Sequence, residues 1–303
     1  MSERREEAAP AMSRAGDGDP GPWRTAVRRL RRNNVAMISL GVLAVFVAAA
    51  LFAPLVAPYP PNAQPDIVGL ARVAPSWSHP LGTDTFSRDV LSRVIYGARV
   101  SLGVATLAIL LAMSAGTAWG AIAGYAGGAT DAVMMRIIDA MLAVPRILIL
   151  LLVLGLWGNI SLPMLVFVLG LTGWFGTSRL VRERVRALST QDFTLAARAM
   201  GARDLRVLWR HVLPNALSPV IVAATLGIGN VIVLEAALSY LGIGVRPPHA
   251  SWGNIIEDGA DQIGSAWWIA LFPGLAMLVT VIAFNLLGDA LRDALDPRDE
   301  RRP

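Results

Sequence analysis

Few side chains in this sequence are suited to acid–base, nucleophilic or metal chemistry. The 303-residue chain has no cysteine, and its 3 histidines, His79, His211 and His249, are too scattered to suggest a metal site. All 27 basic residues are arginine, so the chain lacks the lysine that a Walker A loop or a Schiff-base enzyme requires. The sequence therefore excludes a standard P-loop ATPase, and we predict no catalytic residue, metal or cofactor on this chain.

Two charged residues, Arg146 and Glu235, lie in otherwise apolar segments. A charge surrounded by lipid is costly, so each should face a helix bundle or a cavity. Arg146 follows Pro145, which kinks a helix and frees backbone carbonyls, and it either lines a pathway or pairs with Glu235. Glu235 either binds a transported group or forms a hydrogen bond with Ser239, four residues on. Both are candidate pathway-lining residues.

The segments that carry these charges are long enough to cross a membrane. Hydrophobic residues make up 54% of the chain and charged residues 16%, against about 25% charged residues in ordinary soluble domains. Blocks of about 20 apolar residues match a hydrocarbon layer of about 30 Å. Because the charge-free stretch 147–178 is too long for one span, we place a break at Gly158-Asn159. The sequence predicts an all-α polytopic membrane protein with six transmembrane helices, at 35–57, 100–124, 133–158, 160–177, 217–241 and 266–288.

Arginine is distributed unevenly between the two sides that six spans define. Most arginines precede the first span, lie in segment 178–215, or follow the last span. Positive residues collect on the cytoplasmic side, so we predict that both termini and segment 178–215 are cytoplasmic. The same rule accounts for the net charge of +5 without nucleic acid. We divide the chain into a disordered cytoplasmic tail (1–24), a first helix with an external segment (25–99), a transmembrane domain (100–298) and a cytoplasmic tail (299–303).

Segment 178–215 is long for a connection between two spans, and its sequence indicates two short helices. Asp192 can cap a helix that runs through Met200 and ends at Gly201. Asp204 can cap a second helix, which we expect to stop before Pro214. An apolar stripe on this second helix should hold the first helix against the membrane domain. The stripe consists of Leu205, Leu208, Trp209 and Val212.

The same segment contains a recognisable spacing of small and apolar residues. Leu195-Ala196-Ala197 is followed after three residues by Gly201, and later by Leu213-Pro214. This pattern resembles the EAA loop of ABC importer permeases, with Leu195 in the position of the usual Glu and His211 in that of the usual Ile. The resemblance implies a cytoplasmic two-helix loop that couples to ATPases. Its implied coupling residues are Ala196, Ala197, Gly201, Ala202, Leu213 and Pro214.

Other motifs extend the resemblance over residues 25–298. His-Pro-Leu-Gly-Thr-Asp occurs at 79–84, and Arg-Asp-Val-Leu-Ser-Arg occurs at 88–93. Leu-Ser-Tyr-Leu-Gly-Ile-Gly begins at Leu238, and Leu-Arg-Asp-Ala-Leu-Asp-Pro begins at Leu291. These motifs are similar to those of dipeptide and oligopeptide ABC importer permeases, specifically the shorter-tailed member of the permease pair. Ser87 stands where that family usually has Gly.

The resemblance implies one half of a nutrient importer in a bacterial inner membrane. Its partners would be a homologous second permease, two cytoplasmic ATPase subunits and an external solute-binding protein, with the lipid bilayer around it. ATP and Mg would bind to the ATPase subunits, so this chain would be a non-catalytic translocation subunit. The cargo is left open among dipeptides, oligopeptides, nickel chelates and glycosides.

Several alternatives remain at this point. A secondary transporter or channel, or a membrane scaffold, would also have many spans, but neither accounts for a long basic loop. The external stretch 72–99 either docks the binding protein or packs on the outer face of the domain. Arg136 and Asp139, three residues apart on one helix, are expected to form a local pair.

Overall fold

The computed structural model describes residues 22–158 and 160–295. Most of the predicted N-terminal tail and the whole of the C-terminal tail 299–303 lie outside the described residues. The boundary at 24 is wrong, because a helix already begins at Pro22.

Every regular element within the described residues is a helix, which confirms the all-α fold class. A short π-helical turn, Leu208–Val212, joins the tenth α-helix to the eleventh. In chain order the α-helices are α1 (Pro22–Arg32), α2 (Asn34–Leu51), α3 (Ala53–Val56), α4 (Val90–Ala126), α5 (Gly128–Leu142), α6 (Arg146–Trp157), α7 (Leu162–Gly173), α8 (Phe175–Ser189), α9 (Asp192–Ala199), α10 (Asp204–Val207), α11 (Leu213–Tyr240), α12 (Trp252–Ala260) and α13 (Trp268–Leu295).

Four helical segments are long and apolar enough to cross a membrane: α2, α4, the continuous stretch from α10 to α11, and α13. Two bent helix pairs, α5 with α6 and α7 with α8, pass the same test together, at bends of 75° and 44°. Counting each bent pair as one span gives the six predicted transmembrane helices. The break expected at Gly158 is present, since α6 ends at Trp157 and α7 begins at Leu162.

The bend between α5 and α6 is sharper than the kink that the sequence predicts. The residue before a proline is pushed out of the helical conformation, and Pro145 itself is extended, with ψ at 124°. Arg146 therefore begins a new helix and does not lie in the middle of a continuous span. This span is broken into two helices that meet at residues 143–145.

Helix α4 lies at the centre of the transmembrane domain and packs against α2, α7, α8 and α11. With 37 residues it exceeds the bilayer, and its N-terminal end is capped by Asp89, whose side chain accepts a hydrogen bond from the Ser92 backbone N–H. The main apolar cluster combines small residues of α4, such as Ala105 and Ala108, with larger side chains of α6, α7 and α11. Small side chains on the central helix allow its neighbours to approach closely.

The closest approach is between α4 and α8, at three glycines spaced four residues apart. A Cβ atom at Gly116 would lie 2.7 Å from Thr177 Cβ, and one at Gly124 would lie 2.6 Å from the Arg182 carbonyl oxygen. A Cβ atom at Gly120 would overlap the Ser178 carbonyl oxygen. The two backbones are in contact along about two helical turns, so only glycine fits at these three positions of α4.

The segment between α3 and α4 packs onto the domain through buried charges. Asp84 Oδ2 accepts hydrogen bonds of 2.6 Å from Arg88 Nε and from Arg93 Nη1, and Asp258 Oδ2 bridges the same two arginines. All but Asp258 are almost fully buried. A charged network of this kind is stable only when every member is paired, so it fixes the segment in place. The packing interpretation of stretch 72–99 is confirmed for these residues.

His79 belongs to the same packed segment. Its Nδ1 lies 2.9 Å from Asp89 Oδ1, and the side chain is buried. The described residues contain no group of three or more potential metal ligands. His79 thus has a structural hydrogen-bonding role inside the packed segment.

A first prediction concerns the glycine face of α4. Gly120→Ala should lower the free energy of unfolding by about 1–3 kcal/mol, because the added methyl group forces two backbones apart. Gly103→Ala is the matched control on the same helix, since a Cβ atom there meets nothing within 4 Å. We would measure the thermal unfolding of the full chain in detergent. Equal stability of the two variants would show that the helices are not held by this contact.

Candidate coupling site

The coupling segment begins as a direct extension of α8 rather than as a loop. α8 continues to Ser189 and buries Val181 and Val185 along one face. Just beyond it, the Thr194 hydroxyl of α9 donates a 2.8 Å hydrogen bond to the Leu188 carbonyl, and the Thr194 side chain is fully buried. The C-terminal end of α8 and the first turn of α9 are therefore joined by a buried polar contact.

Helix α9 ends as the sequence predicts. Gly201 has φ of +83°, a left-handed conformation that glycine reaches without steric cost. The Gly201 N–H donates to the Arg198 carbonyl and the Ala202 N–H donates to the Ala197 carbonyl, which is the hydrogen-bond pattern of a Schellman motif. The first residue of α9 is Asp192 and its N-cap is Gln191, so the predicted cap at Asp192 is wrong by one residue.

The second predicted helix does not stop before Pro214. α10 passes through the π-helical turn into α11, and the Leu213 N–H donates to the Leu208 carbonyl, five residues back. Pro214, which has no N–H to donate, is the second residue of α11 and comes directly after this irregular turn. The N-cap of α10 is Arg203, not Asp204. Segment 204–240 is thus continuous from the coupling segment into the membrane.

The buried side of this second helix differs in part from the predicted stripe. Leu208 and Val212 are buried as expected, together with Val207, whereas Leu205 and Trp209 are 68% and 64% exposed. Leu205 and Trp209, four residues apart, thus share one exposed side of the helix, next to the buried side. The predicted stripe is therefore correct for two of its four residues.

A polar junction ties the coupling segment to the end of α4. The Tyr125 hydroxyl donates a 2.7 Å hydrogen bond to Asp204 Oδ1, and Arg198 Nε lies 3.5 Å from the same carboxylate oxygen. The Arg198 guanidinium also lies over the Tyr125 ring, 5.2 Å from its centre. The hydrogen bond that Arg198 donates to the Tyr125 side chain raises the pKa of Arg198, so the guanidinium stays charged. α4, α9 and α10 meet at these three side chains.

The six predicted coupling residues divide between an inner and an outer face. Ala197 is 4% exposed and packs with Ala202 and Leu213 in one apolar cluster with α4 and α8. Ala196, Gly201 and Pro214 are exposed. The structure therefore brings all six residues together in one segment that is continuous with α11 and packs against α8. The sequence analysis missed Thr194, Tyr125 and Arg198. The sequence signal for the polar junction was weak, because it consisted only of Tyr125, an aromatic residue at the end of a span.

The outer face of the coupling segment is apolar. We define the coupling face by its five large exposed apolar side chains, of which Met200 is 82% exposed and Leu195 is half exposed. Charged residues, including Asp192 and Arg203, surround it. The coupling face consists of Phe193, Leu195, Met200, Leu205 and Trp209.

Ion pairs connect α5 to α8 next to this site. Asp139 pairs with Arg179, and both oxygens of the Asp131 carboxylate accept hydrogen bonds from Arg182. The predicted local pair between Arg136 and Asp139 is therefore wrong. α8 runs alongside α5 and presents arginines at helical spacing, which the one-helix argument could not include.

Arg146 binds the backbone of the neighbouring broken span. Its Nη2 donates a 2.7 Å hydrogen bond to the Leu169 carbonyl, and its Nε donates a 3.2 Å bond to Thr172 Oγ1. The acceptors lie in the last turn of α7, just before the bend into α8 at Trp174. The alternative in which Arg146 pairs with Glu235 is wrong, because Arg146 joins the breaks of two neighbouring spans instead. Whether it also lines the pathway stays a prediction.

Glu235 is fully buried within the chain. Its carboxylate accepts hydrogen bonds from Ser239, at 2.7 Å, and from Ser101 on α4, at 3.0 Å. The same hydroxyls accept hydrogen bonds from the backbone N–H groups of Val245 and Trp252. Of the two alternatives for Glu235, the hydrogen bond to Ser239 is present. A side chain with no exposed surface ties α4, α11 and the segment leading into α12 together.

The comparison with protein families agrees with this architecture. Residues 116–300 match the family described as the inner membrane component of binding-protein-dependent transport systems. Residues 21–75 match the N-terminal transmembrane domain of oligopeptide transport permease C. The chain belongs to the family of binding-protein-dependent transport permeases, and it is a multi-pass membrane protein.

Individual relatives match over nearly their whole length. The chain is 38% identical to the dipeptide transport system permease protein DppC of Alkalihalophilus pseudofirmus, which covers 97% of this chain and 98% of the relative. It is 37% identical to the oligopeptide transport system permease protein OppC of Bacillus subtilis, over 95% and 96% of the two chains. A putative peptide transport permease of Brucella abortus is 40% identical, over 97% and 98%.

A second prediction concerns the turn after α9. Gly201→Val should misplace α10 by removing the left-handed turn, at a cost of about 1–2 kcal/mol. Gly201→Asn should be tolerated, because asparagine adopts this conformation and a Cβ atom at this position meets nothing within 4 Å. Ala199→Ser, two residues earlier, is a second control. We would measure membrane abundance and substrate uptake; normal uptake by the Val variant would contradict a coupling role for this turn.

A third prediction separates the two roles of Arg146. Arg146→Gln is too short to reach both acceptors on α7, so we expect a loss of about 1–3 kcal/mol in unfolding free energy. The apparent KM for uptake by the complete transporter should stay unchanged. Arg136→Gln, at an exposed position of α5, is the control. A raised KM with normal thermal stability would instead support a pathway-lining role.

Proposed function

We propose that this chain is one of two homologous permeases in an ATP-driven importer of dipeptides or oligopeptides. An external solute-binding protein delivers the cargo, and two cytoplasmic ATPase subunits supply the energy. The proposal is supported by relatives of nearly equal length that are named as dipeptide and oligopeptide permeases. The cargo of this particular chain stays open between the two, and nickel chelates and glycosides remain alternatives.

The coupling face is the observation that carries the proposal. Monomeric proteins rarely expose a group of large apolar side chains to water, and such a group rimmed by charges is typical of a protein–protein contact. Here the group is spread over α9, α10 and the π-helical turn, and the opposite face of α9 is buried. A helix that is packed firmly on the membrane domain and has an apolar outer face can bind a partner protein and transmit its movement. We propose an ATPase subunit as that partner.

Force on α9 has two direct routes into the membrane domain. One route passes through the Thr194–Leu188 hydrogen bond into α8. The other passes through α10, which reaches the end of α4 by the hydrogen bond between Tyr125 and Asp204 and continues without a break into α11. In the proposed mechanism, closure of the ATPase dimer on ATP displaces α9, and α4, α8 and α11 move with it. The permease pair then changes from inward-facing to outward-facing.

In this proposal the chain itself is not an enzyme. ATP and Mg bind to the ATPase subunits, and the absence of lysine from the sequence supports this division of labour. The chain contributes half of the translocation pathway and the coupling segment. Its termini and the coupling segment face the cytoplasm of a bacterial cell, where the ATPases are found.

A fourth prediction concerns orientation. Reporter fusions after Pro20, Leu195 and Glu300 should report a cytoplasmic position, and fusions near Pro75 and Ile255 should report an external one. The physical reason is the arginine asymmetry between the two sides. Paired alkaline phosphatase and green fluorescent protein fusions measure both sides. An external signal at Leu195 would remove the ATPase from contact with α9.

A fifth prediction concerns dependence on partners. The purified chain in liposomes should show neither ATP hydrolysis nor peptide uptake, because its sequence lacks a P-loop lysine. The complex with the second permease and both ATPases should hydrolyse ATP faster when peptide-loaded binding protein is added. Uptake and phosphate release are measured on the same liposomes. ATP turnover by the isolated chain would refute the assignment.

A further inference from the structure

Helix α1 has a basic face and an apolar face. At 3.6 residues per turn, Ala26, Val27 and Leu30 fall on one side of the helix. The opposite side is basic, and the helix contains no acidic residue. The arginines on this side are Arg28, Arg29, Arg31 and Arg32. Such a helix is typical of segments that lie in the plane of a membrane surface.

Packing fixes which side of α1 is turned away from the protein. Ala26 is 4% exposed, where α1 packs on α2 and α13, and Arg29 is half buried. Arg28, Arg31 and Arg32 are exposed. Among the residues that the structure describes, these three form no ion pair with a carboxylate. Within the part of the chain that the structure describes, they are therefore three charges without a carboxylate partner, on a helix held by its other side.

The position of α1 places these charges beside the bilayer. Only Asn33 separates α1 from α2, and its side-chain oxygen accepts a hydrogen bond from the Ala36 N–H to begin the spanning helix. Val35 and Ile38, in the first turns of α2, are exposed apolar side chains, as lipid contact requires. Arg32 is thus within one helical turn of lipid-facing residues, about 5 Å along the axis.

We propose that the basic face of α1, formed by Arg28, Arg31 and Arg32, binds the phosphate groups of anionic lipids at the membrane surface. Clustered arginines next to a spanning helix are attracted to anionic lipids, and a guanidinium binds a phosphate through two parallel hydrogen bonds. The site would anchor α1, and through its packing the ends of α2 and α13, to the surface of the bilayer. The proposal requires only that α2 spans the membrane, so it does not rest on the transported substrate or the ATPases.

The chain has no cysteine, so a single introduced thiol can report on α1 in the full-length protein. Val27→Cys, at a position 49% exposed, would carry an environment-sensitive fluorophore. The probe is phosphatidylglycerol, compared in nanodiscs with pure phosphatidylcholine. With phosphatidylglycerol we expect a blue shift of the emission and stronger quenching by nitroxide-labelled lipid. High salt should weaken both effects.

Variants test whether the arginines cause this response. Arg28→Gln, Arg31→Gln and Arg32→Gln combined should abolish it, since each charge contributes about fivefold to association. The corresponding triple lysine variant should keep most of the response, because it keeps the charge. The matched control removes three exposed arginines elsewhere, with Arg184→Gln, Arg186→Gln and Arg210→Gln, and should respond like the parent protein.

Four results would overturn the proposal. The first is an unchanged emission when phosphatidylglycerol is added to the parent protein. The second is a full response in the triple glutamine variant, and the third is loss of the response in the triple lysine variant. The last is an equal response to soluble glycerol phosphate in phosphatidylcholine nanodiscs, which would show a free-anion site instead of a membrane ligand. All four readouts are independent of ATP and peptide, so they are distinguishable from failure of the proposed transport function.

Discussion

The contact between α4 and α8 is the constraint on which the coupling segment depends. Lipid does not drive helices together by the hydrophobic effect, so spans associate through close packing and polar contacts. Glycines at 116, 120 and 124 bring the two backbones together, and Asp131 and Asp139 of α5 hold α8 from another side. Because α8 continues past the span to Ser189, the position of α9 is set by packing inside the membrane.

Arg146 and Glu235, the two charged residues discussed above, form hydrogen bonds that hold helices of the membrane domain in place. Bends at residues 143–145 and at Trp174 leave backbone carbonyls that lipid cannot satisfy, and Arg146 binds the Leu169 carbonyl at one of them. Glu235 accepts hydrogen bonds from two serine hydroxyls where α4 meets α11. These charges hold helices together, and a translocation role for either would come in addition to that structural one.

The sequence was sufficient for features that depend on local chemistry. The lengths of the apolar blocks predicted the six spans. Gly201 predicted the end of α9, because the helix ends there in a left-handed residue. Features that depend on contacts between neighbouring helices could not be predicted from the sequence. The partner of Asp139 lies on α8, the partner of Arg146 lies on α7, and the π-helical turn before Pro214 follows no simple periodicity. Helix α1 was missed because its basic residues were interpreted only as a signal of orientation.

The central claim is that α9 and α4 move as one rigid unit when the ATPases act. Spin labels at Gln191→Cys, the N-cap of α9, and at Ile122→Cys, on α4, would measure their separation by double electron–electron resonance in the complete transporter. The cysteine-free chain makes both labels specific. Under conditions in which ATP changes the accessibility of the pathway, we predict the same distance distribution with and without ATP. A shift of about 5 Å, one helical turn, would show that α9 moves relative to α4 and would contradict the account.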